Sequence, residues 1–362
     1  MKKNYTKILF SLLIVCGSFG VSQAQQEIVN IVKAQDDASK LAQAYLSPFF
    51  KGFGIGLNNG WFQTAKTHGL FRFDITVNPS FGYVPSNDRA FDVNKLGLTF
   101  NNIKLADNTK SISPTFAGNS EDGPKMFITD DNGKELQSFN LPQGIGFHYV
   151  PTPMAQVTVG LIKGTDVSLR LIPKVNLGSD AGTVDMFGLA LKHNIKQWIP
   201  GIKMLPFDMS VMAGFTNLNY SLPFNLTPDA GSQPKSEAFD AATANQHLQV
   251  KMHGFTANAL ISKKISVLTV YGGLGYESTK SDVGLYGKYP VTTSATFVGP
   301  VPTQAYYEIV NNPVVFSNHD IDGVKATAGF RLKLAFFTLH ADGTLSKYPT
   351  VNTGIGFNFD WK

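Results

Sequence analysis

The sequence predicts an all-β protein, a transmembrane antiparallel β-barrel of roughly 12 to 14 strands with an N-terminal helical or plug segment. Three observations predict it. Residues 351–361 alternate strictly, with Val351, Thr353, Ile355, Phe357, Phe359 and Trp361 on one face and Asn352, Gly354, Gly356, Asn358 and Asp360 on the other. Comparable two-faced stretches recur along the chain between turn residues. No stretch approaches the ~20 apolar residues of a membrane-spanning helix. Two-faced strands in this number are satisfied together when they close on one another, apolar side to lipid, polar side to lumen, with no free edge.

The first residues bear on compartment. Lys2, Lys3 and Lys7 precede the apolar run Ile8 to Cys16, and Ser22-Gln23-Ala24 ends the segment as a signal-peptidase site would, so residues 1–24 read as a cleaved export signal. That segment holds three of the 31 basic residues and none of the 26 acidic ones, so the net charge falls from +5 to +2 on its removal. The basicity belongs to the signal, and no nucleic-acid partner is expected. Cys16, the one cysteine, reads as an ordinary residue of the apolar run or as a lipidated cysteine; Val15 before it fits the first. The mature chain then has no thiol for disulfides or thiolate metal sites. The 28 phenylalanines of the full sequence are diluted to a mean hydropathy of -0.04, a mixture that suits amphipathic strands.

Residues 25–62 form the N-terminal unit and 63–362 the barrel. Ala38, Leu41, Ala42, Tyr45 and Leu46 recur at helical spacing, so a helix is expected over Ile28 to Leu46, closed by Pro48. It reads either as a surface helix or, with the following FKGFGIGLNNGW, as a plug inside the barrel. Gly52, Gly54, Gly56 and Gly60 would let that backbone lie close to a wall. Phe49, Phe50, Phe53, Trp61 and Phe62 are its packing candidates, able to hold an apolar tail or simply to fill space.

The first stave is expected at 70–78, where Phe71, Phe73, Ile75 and Val77 alternate with Arg72, Asp74 and Thr76. Residues 79–143 suggest two or three strands with long loops, and Asp131-Asn132-Gly133 signals a hairpin. Further on, Val157 to Leu161, Val167 to Leu171, Phe187 to Leu191 and Phe207 to Phe215 alternate in turn. Leu248, Val250 and Met252 alternate with Gln249, Lys251 and His253, and the phase slips after Gly254 as a bulge would make it. Val324 to Leu334 set six apolar residues against Lys325, Arg331 and Lys333. Turns are expected to be tight at Gly164-Thr165, Ser262 to Lys264 and Ala335, and long at 221–246 and 278–320, the asymmetry of outer-membrane barrels with short periplasmic turns. Between Lys192 and Pro206, Ile195, Trp198, Ile199 and Ile202 suggest a short interfacial helix.

No catalytic motif stands out, so the chain is not expected to be an enzyme and no cofactor is assigned. Gly272-Gly273-Leu274-Gly275 is explained by strand glycines. His247 and His253 share a face with Lys251 and no acid, which argues against a metal site. The lumen candidates are Arg72, Asp74, Arg170, Asp208, Lys251, Lys325, Arg331 and Lys333, with His340, Asp342 and Asp360 beside them. They read as an ion-pair lattice stiffening the interior, or as a cationic row attracting an anionic solute or carboxylate head group.

The segments SPFFKGFGIGLNNGW, LPQGIGFHYVPTP, LALKHNIKQWIPG and GIGFNFDWK resemble an uncharacterised family of exported outer-membrane barrels of Gram-negative bacteria, loosely similar to the long-chain fatty-acid transporter (FadL-like) superfamily. The resemblance implies outer-membrane lipid around the barrel, delivery by the barrel-assembly machinery through the C-terminal strand, and a hydrophobic small molecule as partner. Where those transporters carry Asn-Pro-Ala in the plug, this chain reads Leu57-Asn58-Asn59-Gly60-Trp61, so no binding residue is carried over. Passive transport of a small hydrophobic or amphipathic compound is thus one expectation. A non-transporting barrel whose long loops bind a surface or secretion partner is the other.

Overall fold

The computed structural model describes residues 37–129, 133–178, 181–223, 225–236, 245–298 and 301–359. The export signal, Cys16, the first part of the expected helix, Asp360 and Trp361 lie outside the described residues. Ten strands form the wall: β1 Phe73–Tyr83, β2 Tyr149–Leu161, β3 Thr165–Gly178, β4 Gly182–Asn194, β5 Asp208–Pro223, β6 His247–Ile265, β7 Leu268–Tyr286, β8 Val314–Leu334, β9 Phe337–Leu345 and β10 Thr350–Phe359. Each pairs antiparallel with its sequence neighbours, and β1 pairs with β10 to close the barrel. An up-and-down meander closed in this way leaves no edge unpaired.

Ten staves are fewer than the 12 to 14 expected, and the difference has a definite origin. Strand-like runs at 90–92, 103–105, 112–114, 125–129 and 135–140 form two small sheets outside the wall, and 288–298 and 301–311 form a third with 233–234. Strands 125–129 and 135–140 pair as the Asp-Asn-Gly signal requires, though residues 130–132 are outside the described set. Alternation marks a two-faced strand; it does not say whether the apolar face meets lipid or a local core.

The staves alternate as their sequences dictate. On β10, Val351, Ile355 and Phe357 are exposed outward while Asn352 and Asn358 are buried inward. Each stave puts at least one large apolar residue on the outside, from Ile75 on β1 through Phe215, Phe255 and Phe330 to Phe357 on β10. An apolar belt around a whole barrel has no place in water. No described helix is long and apolar enough to cross a membrane, so the crossing is made by these strands, as in an outer-membrane barrel.

The ends differ. One side carries the tight turns at 162–164, 266–267 and 335–336; the other carries the excursions 84–148, 224–246 and 287–313. Ser266 and Ala335 take positive φ in two of those turns, which places the β6–β7 turn beyond Ser262 to Lys264. Between β4 and β5 the expected interfacial helix is replaced by two single 3-10 turns, Lys196–Trp198 and Ile202–Met204, and Lys192 belongs to β4. Strands β6, β7 and β8 run 19, 19 and 21 residues. A crossing needs about 9–11, so these staves project on the loop side.

Polarity reverses in the projection, and this corrects the reading of β6. Val250 and Met252 face inward onto a core, while Lys251 and His253 face outward and are exposed. The register with β5 runs unbroken through Asn217↔His253, Thr216↔Gly254 and Phe215↔Phe255, so there is no bulge after Gly254. The strand keeps its phase while its surroundings change from water outside to lipid outside. Lys251 is therefore not a lumen residue. Register shifts lie instead in the β7–β8 pairing, between Thr279 and Lys280, and in the β3–β4 pairing, between Ile172 and Val175 and between Asn176 and Gly178.

Candidate functional site in the barrel lumen

The lumen is occupied by a helix. α1 spans Ala38–Asn58, running past the expected end at Leu46, with Pro48 inside it. Pro48 has no N–H to donate to the Ala44 carbonyl four residues back; the neighbouring Tyr45 carbonyl accepts from the Phe116 N–H at 2.9 Å. The helix packs against β8, β2, β1, β6, β7 and β5. Its start is tied to the loop side, where the Asp37 carboxylate accepts from the N–H groups of Thr99 and Phe100 at 2.8 and 3.0 Å.

Glycines set the fit. A Cβ on Gly52 would lie 2.6 Å from Val150 and one on Gly56 2.2 Å from Thr152, both on β2, while one on Gly54 would lie 2.4 Å from Thr279 on β7. An ordinary helix with side chains is about 10–12 Å across; glycine at these three positions narrows this one so that it wedges between opposing staves.

At the helix end the wall takes hold of the main chain. The last carbonyls of a helix have no intrahelical donor and carry its negative end. Arg170 on β3, fully buried, donates from Nη1 to the Leu57 carbonyl at 2.9 Å and from Nη2 to the Asn59 carbonyl at 2.8 Å. Lys325 on β8 donates to the Asn58 carbonyl at 2.9 Å. Asn78 on β1 and Gln156 on β2 donate to the carbonyls of Gly60 and Trp61 at 3.0 and 3.2 Å. Five consecutive carbonyls, 57 to 61, are thus each bound by a wall side chain. The Arg170 guanidinium also lies 3.7 Å from the Trp61 ring centroid.

Below this grip, residues 62–72 run to the turn side. Trp61, Phe62 and Ala65 lie on an apolar strip of Ala190, Met212, Leu260 and Tyr271. Nearer the rim, His68 bridges two carboxylates, with Nδ1 at 3.0 Å from Asp166 and Nε2 at 3.2 Å from Asp74, and Lys192 lies 3.0 Å from Asp166. Lys325 pairs with Glu277 at 3.3 Å, and Asp342 accepts from Tyr271 and Asn352 at 2.8 and 2.6 Å.

Of the lumen candidates, Asp74, Arg170, Lys325 and Arg331 are buried inward, and Lys333 donates to Asn358 at the rim. Arg72 sits just before β1 beside Gly69, and Asp208 is half-buried at the turn-side end of β5 opposite Ser262. His340 and Asp342 face inward, whereas His247, stacked on Tyr286, and His253 lie on the outer face. Among the aromatic candidates, Phe50 packs against Phe316, and Phe49 against Phe53 and Phe116. Sequence reasoning passed over His68, Asp166, Lys192 and Glu277. Asp166 shares the parity of Arg170, a signal that was there to use; Glu277 stood next to a stretch that read as loop.

On the loop side, Lys51 of α1 pairs with Asp88 at 2.8 Å, and the Tyr348 hydroxyl donates to the same carboxylate at 2.5 Å. Burial opposes ionisation of Asp88, but these two partners outweigh it and hold its carboxyl below the usual range.

Several solved structures are similar in outline. The translocator domain of the autotransporter NalP from Neisseria meningitidis aligns at TM-score 0.28 and 11% identity over 86% of this chain and 93% of that one. The outer-membrane transporter YddB from Escherichia coli aligns at 0.27 and 10% over 80% and 41%. The toluene transporter TodX from Pseudomonas putida aligns at 0.25 and 9% over 83% and 96%. Scores of this size carry no argument about function, and the barrel rests on the chain's own pairing. No curated protein matches the sequence. The profile described as "Family of unknown function (DUF6588)" matches residues 1–359.

Proposed function

The chain belongs to that family of unknown function, and from its lumen we propose an outer-membrane passage for small hydrophobic or amphipathic compounds, closed by its N-terminal segment. One observation supports the reading above others. The segment is fastened through main-chain carbonyls to polar wall groups, while Trp61 and Phe62 cover an apolar strip. A fastening of hydrogen bonds and ion pairs is exchangeable with water, and an apolar strip uncovered by its release would receive an apolar solute. On this reading residues 1–24 direct export, the barrel-assembly machinery takes up the chain through β10, and the protein is not an enzyme.

The test is deletion of residues 28–61 with reconstitution in planar bilayers. Deletion is expected to raise conductance and to raise uptake of a hydrophobic dye by proteoliposomes; conductance that stays at the full-length value would remove the plug from the account.

A second reading is favoured by the loop side, where strands 288–298 and 301–311 build a sheet beyond the wall with 233–234. A passage does not require such a sheet, and a surface or secretion partner would have one to bind. Removing 288–311 should abolish cross-linking to that partner and leave solute passage unchanged.

A further inference from the structure

The contacts between plug and wall leave some buried polar atoms of the described residues without a partner. Toward β2, β3 and β6 to β8 the plug's main chain is bonded to Gln156, Arg170, Ser262 and Lys325, and the Asn58 side chain donates to the Ser278 carbonyl at 3.0 Å. Toward β1 and β10 the plug is held as well, by Asn78 on the Gly60 carbonyl and by Asp74 and Asn358 on His68, but polar atoms are left over. Among the described residues, Asp74 Oδ1, Asn78 Oδ1, Thr338 Oγ1 and His340 Nδ1 are buried there without a hydrogen-bond partner, and so is Oε1 of Gln63 on the facing plug; atoms of Thr216, Ser281 and Asp320 are in the same condition on β5, β7 and β8. The first five residues are at most 8% exposed.

The groups on β1, on β9 and on the plug are neighbours. Thr338 and His340 pair across the wall with Gly356 and Gly354 of β10, and Gly356 pairs in turn with Thr76 of β1. A Cβ on Gly354 would meet both His340 and Asn78 Oδ1, at 2.3 and 2.5 Å, so side chains of β1 and β9 come together over the glycines of the stave between them. Gln63 faces this set through its amide, which donates to Asp74 Oδ2 at 3.3 Å.

Buried polar atoms are rarely left unsatisfied, and a group of them gathered on one face is the usual setting of internal water, which makes about three hydrogen bonds per molecule to such atoms. Acceptor oxygens, a hydroxyl and an imidazole nitrogen together suit a guest that both donates and accepts. Charges of both signs stand beside them, Asp74 on β1 and Arg331 paired opposite His340, so an ion of either sign meets a like charge.

We propose that the face between the plug and β1, β10 and β9 is a hydrated seam that admits water and small neutral hydrogen-bonding solutes while the plug remains in place. This goes beyond the passage of hydrophobic compounds, which requires the plug to move. The two fail separately, because one is read with the plug seated and the other with it released.

The experiment is stopped-flow light scattering on proteoliposomes of the full chain, measuring water and glycerol permeability, with potassium chloride conductance in parallel. Wild-type vesicles are expected to exceed protein-free vesicles severalfold for water and glycerol, with no added chloride conductance. Thr338→Val keeps the shape of the side chain and removes its hydroxyl; it should lower both permeabilities at least threefold and lower the melting temperature. Thr353→Val on the lipid face should change neither. Wild-type permeability equal to that of protein-free vesicles overturns the seam. So does Thr338→Val with unchanged permeability and an equal or higher melting temperature, the result for a dry seam relieved of an unpaired hydroxyl. If Thr338→Val does not assemble, Gln63→Leu on the plug carries the same expectations for permeability.

Discussion

The Arg170 guanidinium stacks on the Trp61 indole, 3.7 Å from the ring centroid, and fixes the turn at the end of α1 to β3. Its two terminal nitrogens bond the Leu57 and Asn59 carbonyls at the same time. A planar fork holds the two carbonyls in fixed directions while its face stacks on the ring; an ammonium is a point charge with no such plane. Arg170→Lys is therefore expected to loosen the plug although it keeps the charge. Hydrogen bonds to charged groups are worth about 1.5–3 kcal/mol each, and losing one of them with the stacking should lower stability by about 2–4 kcal/mol. Thermal unfolding in detergent reads the loss, and planar-bilayer recordings should show more frequent openings. Unfolding and recordings both at wild-type values would mean that Arg170 does not hold the plug.

Lys325 and Glu277 are both almost fully buried and lie 3.3 Å apart. Removing one partner strands the other charge in the interior, at a cost of about 3–5 kcal/mol, whereas replacing both by apolar residues is often neutral. Lys325 also bonds the Asn58 carbonyl and the Asn59 side chain, so its loss reaches the plug. Glu277→Leu should be strongly destabilising, and Lys325→Met with Glu277→Leu should recover most of the Glu277→Leu loss but not the plug fastening. A double-mutant cycle by chemical denaturation separates the terms; additive effects would show that the pair is not coupled.

Asp88 gives the loop-side fastening a pH dependence with a definite sign. Its carboxyl is held below 3.8 by Lys51 and Tyr348, against the effect of burial. A lowered folded value adds stability above the unfolded value, and that stability is lost as pH falls through the folded value. Protease access to the loop side should thus rise as pH drops below 3.8 in the wild type. In Asp88→Asn it should be raised already at neutral pH and change little on acidification. An equally steep acid response in the variant would place the titrating group elsewhere.

These interactions show how far the sequence could be read. The face assignment of β10 and the inward Asp74, Arg170, Lys325 and Arg331 follow from parity alone, since a strand has only two faces. Lys251 has the same kind of parity signal and lies outside, because parity does not report how far a strand projects beyond the lipid. Strand number was obscured for the same reason: residues 125–129 alternate like a stave and build an outlying sheet, while 288–298, inside a stretch expected as a loop, forms another. The grip of Arg170 on Leu57 joins residues 113 apart through a main-chain carbonyl, a group every residue carries and no motif marks.

Gly56 tests whether α1 lies where its glycines say. In an exposed helix, glycine to alanine is favourable by roughly 1 kcal/mol. Here the added Cβ would lie 2.2 Å from Thr152 Oγ1 and 2.4 Å from Thr152 Cβ, on a stave that cannot withdraw without breaking its pairing with β1. Gly56→Ala should therefore be destabilising, by about 1–3 kcal/mol as in other overpacked cores. Thr152→Gly should be destabilising by itself, through loss of β propensity and packing. Combined with Gly56→Ala it opens the space that the methyl needs, so the double variant should be more stable than the two separate losses predict. Thermal unfolding of the four proteins measures this coupling. A Gly56→Ala protein as stable as the wild type would mean that α1 does not sit against β2, and the narrow-helix account of the plug would fall with it.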